Sequence, residues 1–449
     1  MERAVDRNPR SLFRVLGLAF GVAVIIGGMV GGGILRTPGA VAAQLPDVRL
    51  IYLVWVLGGL YVLVAVNTYA ELATALPKSG GGYVYLQYTY GDFVGFASGW
   101  TDLIISALGI AYLAITSGEY LGQLFPSLAG RENILAPAMI LLFGLVHSVG
   151  IRTSSALQQL TSLAKVLLLI ALVGAVFYFP TTAAAAPLHT SGHVSLLAGF
   201  GAIIVAAQMV METYAGFASV VYFSEETTNP GRTIPLSMFV GAITVMVLYL
   251  LINAALLHGL TIAQLGASKL PVADLAAVYY GPVARTAVTV IAVVSLLGII
   301  NTIVLYSART PYAMSRDRLL PQLGGYVSKG GVPLVAMWFI IAVSIVFSSL
   351  GSFETLLAIA AFLGLTGDTL VYAALFVLRR REPGLQRPFR AFGYPFLPAV
   401  LVLISFALLV GYLVGNPWPS AISVLLLLTT YPAFRLLARR LKTELAMPV

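Results

Sequence analysis

The chain has 449 residues, of which 59% are apolar and only 10% charged, with a mean hydropathy of +0.94, whereas soluble domains carry about a quarter charged residues. That composition marks an integral membrane protein and excludes a secreted disulfide scaffold, a disordered chain and a soluble enzyme on a small anchor. Zero cysteines exclude a disulfide framework, a thiolate metal site and a cysteine nucleophile. The four histidines, His147, His189, His193 and His258, show no zinc spacing, so neither a metal nor a cofactor is expected. The apolar runs are continuous over about 20 residues and do not alternate, which points to helices and away from an outer-membrane barrel.

In chain order, spans are expected at about 15–43, 50–75, 93–122, 134–150, 156–179, 196–223, 235–258, 284–313, 331–350, 355–378, 395–414 and 417–438. These twelve spans fill the chain and leave room for no soluble domain. The first fourteen residues are polar and basic, but the apolar run after them is too long for a signal peptide and lacks a small-residue cleavage site. With the N-terminus on the cytoplasmic side, twenty of the 26 Lys and Arg residues fall inside, Arg3, Arg7, Arg10, Arg309, Arg316 and Arg379 among them, against five outside. This bias places both termini in the cytoplasm and requires an even span count. The +9 net charge is thereby accounted for by topology, with the lipid bilayer and not nucleic acid as the large partner.

The most informative stretch is Ile25-Ile26-Gly27-Gly28-Met29-Val30-Gly31-Gly32-Gly33-Ile34, five glycines in the middle of span one. Each glycine costs a helix about 1 kcal/mol relative to Ala. Three in a row favour local unwinding, which at membrane depth is tolerated only where the backbone is buried in protein or lines a wet cavity. Unwinding frees amides at the start of one half-helix and carbonyls at the end of the other, a pairing that suits a zwitterion. The same glycines also suit close packing between helices. Span six has a matching weak point, Met211-Glu212-Thr213-Tyr214-Ala215-Gly216-Phe217. An acid at that depth costs about 2.5 to 3.5 kcal/mol on insertion scales. Spans one and six are five apart, so a five-span repeat would insert in the opposite sense the second time, with its broken helices meeting at a midplane site.

Taken together, these residues resemble the amino acid/polyamine/organocation transporter superfamily, most closely its L-type amino acid transporter branch and the bacterial relatives of that branch. The resemblance runs along nearly the whole chain. It is carried by Gly31-Gly32-Gly33-Ile34, by ELATALPKSGGG from Glu71 to Gly82, by Gly99-Trp100-Thr101-Asp102-Leu103, and by Glu225-Glu226-Thr227-Thr228-Asn229-Pro230-Gly231-Arg232-Thr233-Ile234-Pro235. The segments Arg309 to Pro321 and Leu378 to Pro395 complete it. The resemblance implies an all-α, twelve-helix LeuT-type fold in one transmembrane domain. Its two inverted five-helix repeats would occupy 15–179 and 196–378, helices 1 and 6 would be discontinuous, and the last two helices would occupy 395–438.

It further implies that Gly31, Gly32, Gly33 and Ile34 offer amides to a substrate carboxylate, while the carbonyls of Met29, Glu212, Thr213 and Ala215 receive its amino group. Lys165 matches a lysine that stands in for a structural sodium ion and bridges span one to span eight. A lysine snorkelling to the interface is the alternative. Glu212, Phe217, Glu226 and Arg232 are expected at the gates, although a helix-end salt bridge explains Glu226 and Arg232 nearly as well. Glu212 departs from the family pattern, which has a bulky aromatic there. A carboxyl cannot lid a substrate by packing, so it is expected to set cation preference or pH dependence, with a protonated, backbone-bonded Glu as the alternative. Asp102, Glu119 and Asp368 are expected as hydrogen-bonding partners within the helices.

The function implied is a non-enzymatic, sodium-independent amino acid permease of the plasma membrane, working by alternating access and driven by protons or by exchange. A polyamine or cationic amine carrier and a non-transporting amino acid sensor are the alternatives. The heavy chain of heteromeric relatives is attached through a cysteine, and this chain has none, so no disulfide-linked partner is expected.

Overall fold

The computed structural model describes residues 12–178 and 196–446. Arg3, Arg7, Arg10, His189 and His193, together with residue 179 of the expected fifth span, lie outside the described residues. Those residues form helices joined by short connections, with one isolated parallel bridge between Leu16 and Thr227.

The first expected span holds two helices, α1 (Leu18–Met29) and α2 (Gly32–Gln44), bent by 41° at their junction. α3 (Val48–Ala75), the short α4 (Gly82–Tyr90) and α5 (Asp92–Leu124) follow, then α6 (Glu132–Ser148) and α7 (Ile151–Tyr178). α8 (Leu196–Thr213) stops at the weak point of span six. Beyond α8 the chain is interrupted within the span expected over 196–223. It turns through Gly216 (φ +99°) and resumes only as a 3-10 turn over Ser219–Phe223. Glycine is required at 216 because a Cβ there would lie 2.7 Å from the Gly28 carbonyl, so the two interrupted segments touch backbone to backbone.

α9 (Pro230–Gly259), α10 (Ile262–Ala267), α11 (Pro271–Tyr280) and α12 (Pro282–Ser307) continue the chain. A one-residue interruption at Ala308, itself in helical conformation, leads into α13 (Arg309–Arg316), and α14 (Leu334–Leu350), α15 (Phe353–Arg381), α16 (Phe396–Gly415) and α17 (Pro417–Ala446) complete it. α3 runs along α9, which also supports α1, while α12, α14 and α15 pack on the long α5. Among the described residues, eight helices are long and apolar enough to cross a membrane, nine when α1 and α2 count as one bent span. α6, residues 201–213 and α14 are shorter apolar helices.

Side chains sort by the solvent they meet. On α7, Leu160, Leu163, Leu167 and Ile170 are exposed, as are Leu403, Phe406, Val410 and Val414 on α16. Such a continuous apolar exterior has only hydrocarbon as a suitable environment. Polar contacts gather inside. A buried chain of hydrogen bonds runs from His147 on α6 to Asn301 on α12 (3.0 Å), from Asn301 to Gln158 on α7 (2.6 Å), and from Gln158 to the Ala23 carbonyl on α1 (3.2 Å). Ser162 bonds the same carbonyl at 2.7 Å. Asn301 spends its amide N–H on Gln158, so its oxygen must accept from His147 Nε2, which fixes the direction of the chain.

The end of the bundle that carries Arg309, Arg316, Arg379 and Arg387 is the basic end. There Glu71, fully buried, accepts from Arg379 (2.9 Å through Nε), from Arg387 (3.1 Å) and from the Ala391 N–H (2.7 Å). This ties α3 to the end of α15 and to the segment before α16. Removing the carboxylate leaves two guanidinium groups without their acceptor, which for a buried pair costs about 3 to 5 kcal/mol. Glu71→Ala is therefore expected to lower the thermal unfolding temperature of the detergent-solubilised protein clearly, and Glu71→Gln to lower it less.

Candidate functional site

The interruption of span one follows from its glycines. Val30 and Gly31 are extended, and Gly31 caps α2 without a side chain to satisfy the free amides of that helix. α1 ends with its last carbonyls unpaired by helix, and side chains from other helices meet them. Lys165 on α7 is fully buried and donates to the carbonyls of Val30 (3.0 Å) and Gly27 (3.3 Å). Its ammonium also lies against Gly298 on α12, where a Cβ would come within 2.6 Å of Nζ. One cation thus sits between α1 and α12.

Tyr249 on α9 performs the second such task. Its buried hydroxyl lies 2.6 Å from the Met29 carbonyl and 3.2 Å from the Thr213 carbonyl, so one O–H is shared between the ends of both interrupted helices. Trp55 and Tyr214 pack on the ring at centroid separations of 5.7 and 4.9 Å. The Thr37 and Thr213 hydroxyls, 2.7 Å apart, add a direct link between α2 and α8.

Between these two breaks lies a cavity of about 1000 Å³, at the upper end of the range for small-molecule sites. Its walls include Gly28, Met29, Gly32, Gly33, Glu212, Thr213, Ala215 and Phe217. Gly31 and Ile34 are not on its surface. Gly31 is instead held against Ile299, and Ile34 is fully buried. The expected amide set therefore narrows to Gly32 and Gly33. The expected carbonyl set changes too. Met29 and Thr213 already accept from Tyr249, and Glu212 accepts from the Ala215 N–H at 3.1 Å. Ala215 and Gly28 also line the cavity; no side chain of the described residues bonds either carbonyl, and that of Gly28 lies against Gly216.

Glu212 projects at this level with no hydrogen bond or ion pair to its carboxylate among the described residues, so the backbone-bonded alternative does not describe it. Asp368 on α15 faces the same cavity and accepts from the Tyr69 hydroxyl at 2.6 Å. Phe217 packs edge-on against Tyr69 at 5.6 Å. Towards the basic end the lining includes Asp102, whose two oxygens accept from Tyr222 (2.7 Å) and Thr310 (2.6 Å), and runs on along α5 to Phe93 and to Tyr83 on α4. Towards the other end its walls reach Arg36, Phe353 and Glu354.

Ion pairs cross the basic end next to this part of the lining. Glu226 pairs with Arg309 at 2.9 and 3.1 Å, both fully buried, and Arg309 also lies 4.8 Å over the Phe223 ring. Burial pushes the Glu226 carboxyl above the usual carboxylate range, opposed by the Arg309 guanidinium. Glu225 pairs with Arg316 at 2.7 and 2.8 Å and bonds Ser79 at the turn before α4. Arg232, expected beside Glu226, is exposed on the first turn of α9. The correction has a simple cause: the chain reverses at Asn229 (φ 49°), which carries Arg232 away while α13 brings Arg309 in. The strand-like bridge adds backbone links there, since the Leu16 N–H donates to the Glu226 carbonyl and the Thr228 N–H to the Leu16 carbonyl.

Two interrupted helices that meet at a central cavity, with a buried lysine at one junction, agree with the sequence profile described as "Amino acid permease", which matches residues 12–431. The chain belongs to the amino acid permease family. The permease is 28% identical to the serine/threonine exchanger SteT of Bacillus subtilis (strain 168) over 431 residues, covering 94% of this chain and 96% of the relative. It is 26% identical to the mouse b(0,+)-type amino acid transporter 1 over 434 residues (95% and 88% covered). A third relative, the branched-chain amino acid permease BcaP of Bacillus subtilis (strain 168), is 27% identical over 436 residues (91% and 90% covered). The permease is thus a multi-pass membrane protein of a family of transporters and not of enzymes.

Tyr249 carries no signal in the sequence that sets it apart from other residues of its helix, and Arg309 is marked there as the start of a motif segment but not as the partner of Glu226. In the permease Tyr249 holds both breaks, and losing a buried hydrogen bond of this kind costs about 1 to 3 kcal/mol. Tyr249→Phe should therefore weaken amino acid binding by roughly a factor of 5 or more, measured as ligand-induced thermal stabilisation or inhibition of tracer exchange. Unchanged affinity in a folded variant would remove the role.

Proposed function

We propose that the protein is a sodium-independent secondary transporter that carries amino acids across the plasma membrane by alternating access. The observation that supports this most directly is the position of the cavity between two helix breaks, with Gly32 and Gly33 amides on one side and the carbonyls of Gly28 and Ala215 on the other. A helix N-terminus attracts a carboxylate, and unbonded carbonyls accept from an ammonium group. Both ends of an amino acid are then held by peptide groups, which leaves the rest of the cavity free to select the side chain.

Twelve spans, with two inverted repeats over 15–179 and 196–378 and two further helices over 395–438, belong to this proposal. So does a topology with both termini in the cytoplasm. The favouring facts are the bent pair α1 and α2, the interruption after α8, and the basic residues gathered at one end. On this topology the basic end is cytoplasmic, and the ion pairs Glu226–Arg309 and Glu225–Arg316 are the closed inner gate. The wall reaching Arg36 and Glu354 is then the outer side, so the conformation faces outward. Transport requires these pairs to separate and the outer walls to close, with Phe217 moving over the substrate.

Sodium independence rests on Lys165. Its fixed charge neutralises the free carbonyls of α1 and touches α12 at Gly298, so a metal ion has neither the space nor the electrostatic need to bind there. Purified protein in liposomes is expected to exchange amino acids at the same rate when choline replaces sodium on both sides. Lys165→Met should cut exchange by at least tenfold, because the carbonyls of Gly27 and Val30 lose their donor. Strict sodium dependence of the native protein would overturn this reading. Saturable amino acid binding with no exchange would make the protein a sensor.

A further inference from the structure

The charged residues around the cavity are unbalanced. Its walls carry the carboxylates of Asp102, Glu212, Glu354 and Asp368, and Arg36 is the one Lys or Arg among the described lining residues. Asp102 has both oxygens occupied by hydroxyls. Glu354 and Arg36 lie together at the far rim, where the Arg36 guanidinium rests 4.8 Å over the Phe353 ring and its charge is felt by Glu119. Arg36 also stands four residues beyond Gly32 on α2, about 6 Å further along the helix axis. The two carboxylates left at the level of the breaks are Glu212, with no partner among the described residues, and Asp368, with one oxygen bonded to Tyr69. They are close enough to interact electrostatically.

The wall around Asp368 supplies room. Gly364 and Gly367 lie four and one residues before it on α15, both line the cavity, and a Cβ at either would meet nothing within 4 Å. Few helical positions inside a packed protein are this empty, and the space adjoins a carboxylate. A neutral side chain entering it would cover acidic groups without compensating them, which is unfavourable in a medium of low dielectric. A cationic one would both fill the space and separate two repelling charges.

We propose that the cavity selects amino acids whose side chain carries a second cationic group, held between the carboxylates of Glu212 and Asp368 while the α-carboxylate sits at the Gly32 and Gly33 amides. This rests on the amino acid site read above and adds the substrate class. Glu212 and Asp368 are specificity residues: they act on the distal end of the substrate, and the peptide groups of the breaks act on the end common to all amino acids. The alternative occupant of the carboxylate pair is a proton.

The test compares L-lysine with L-norleucine, which has the same carbon chain without the terminal amine. Both are applied to the full-length protein in thermal-shift titrations and as competitors of tracer exchange in liposomes. Lysine is expected to bind at least tenfold more tightly than norleucine. Glu212→Gln and Asp368→Asn should each lower that ratio severalfold while norleucine affinity holds or improves. Equal or tighter binding of norleucine by the native protein overturns the proposal without need of any variant. If norleucine is also driven by an inward proton gradient, the pair is assigned to a proton. Binding of neither compound, nor of serine or leucine, overturns the amino acid site itself along with the inference.

Discussion

A peptide group taken out of a helix inside a membrane must find another partner, and the architecture of this permease is organised around meeting that requirement at two places. In hydrocarbon each orphan N–H or C=O costs several kcal/mol, roughly the worth of several ordinary side-chain contacts. Span one is broken by its glycines and span six ends at Thr213, so carbonyls appear at both junctions with no helical donor. Lys165 answers those of Gly27 and Val30, and Tyr249 answers those of Met29 and Thr213. Gly28, Gly32, Gly33 and Ala215, which no such side chain answers, are among the residues lining the cavity. On the proposed function, binding capacity is what remains after the scaffold has satisfied the rest.

The same division explains why the helices around the site are held so differently. α1 is fixed at its middle by the buried chain from His147 through Asn301 and Gln158, with Ser162 beside it, and these bonds join α6, α7 and α12 to a single carbonyl. At the basic end the links are ion pairs between the segment after α8 and α13, plus three backbone bonds to the N-terminal segment. Hydrogen bonds between neutral buried groups are directional and expensive to break without replacement. The Glu225–Arg316 pair is partly exposed and exchanges with water at low cost, whereas the buried Glu226–Arg309 pair separates only if both groups find new partners or water. A transporter needs one set of contacts that persists and another that separates, and the two chemistries are found in those places.

The cavity also shows how a buried acid acquires meaning only in context. A glutamate at the end of an apolar helix would be a puzzle if that helix were tightly packed. Beside Asp368 and the open face made by Gly364 and Gly367, it becomes half of a paired acidic feature with space for a ligand in front of it. Arg36, the basic residue of the lining, rests over the Phe353 ring at the rim.

Hydropathy alone located the helices, because a run of about 20 apolar residues has few other fates. Each expected segment holds one, with ends displaced by a few residues. The triple glycine announced the break in span one for an equally local reason, the cost of glycine to a helix. Local sequence did not tell which peptide groups at the breaks would stay free. Met29 and Thr213 read as open acceptors until α9, far away in the chain, brought the Tyr249 hydroxyl to both. Likewise Arg232 was Glu226's obvious neighbour in sequence, yet Arg309, 83 residues on, makes the pair. Periodicity and propensity are properties of neighbours along the chain. The partner of an orphan carbonyl or a buried carboxylate is decided by whichever helix packs there, and only the tertiary structure brings those helices together.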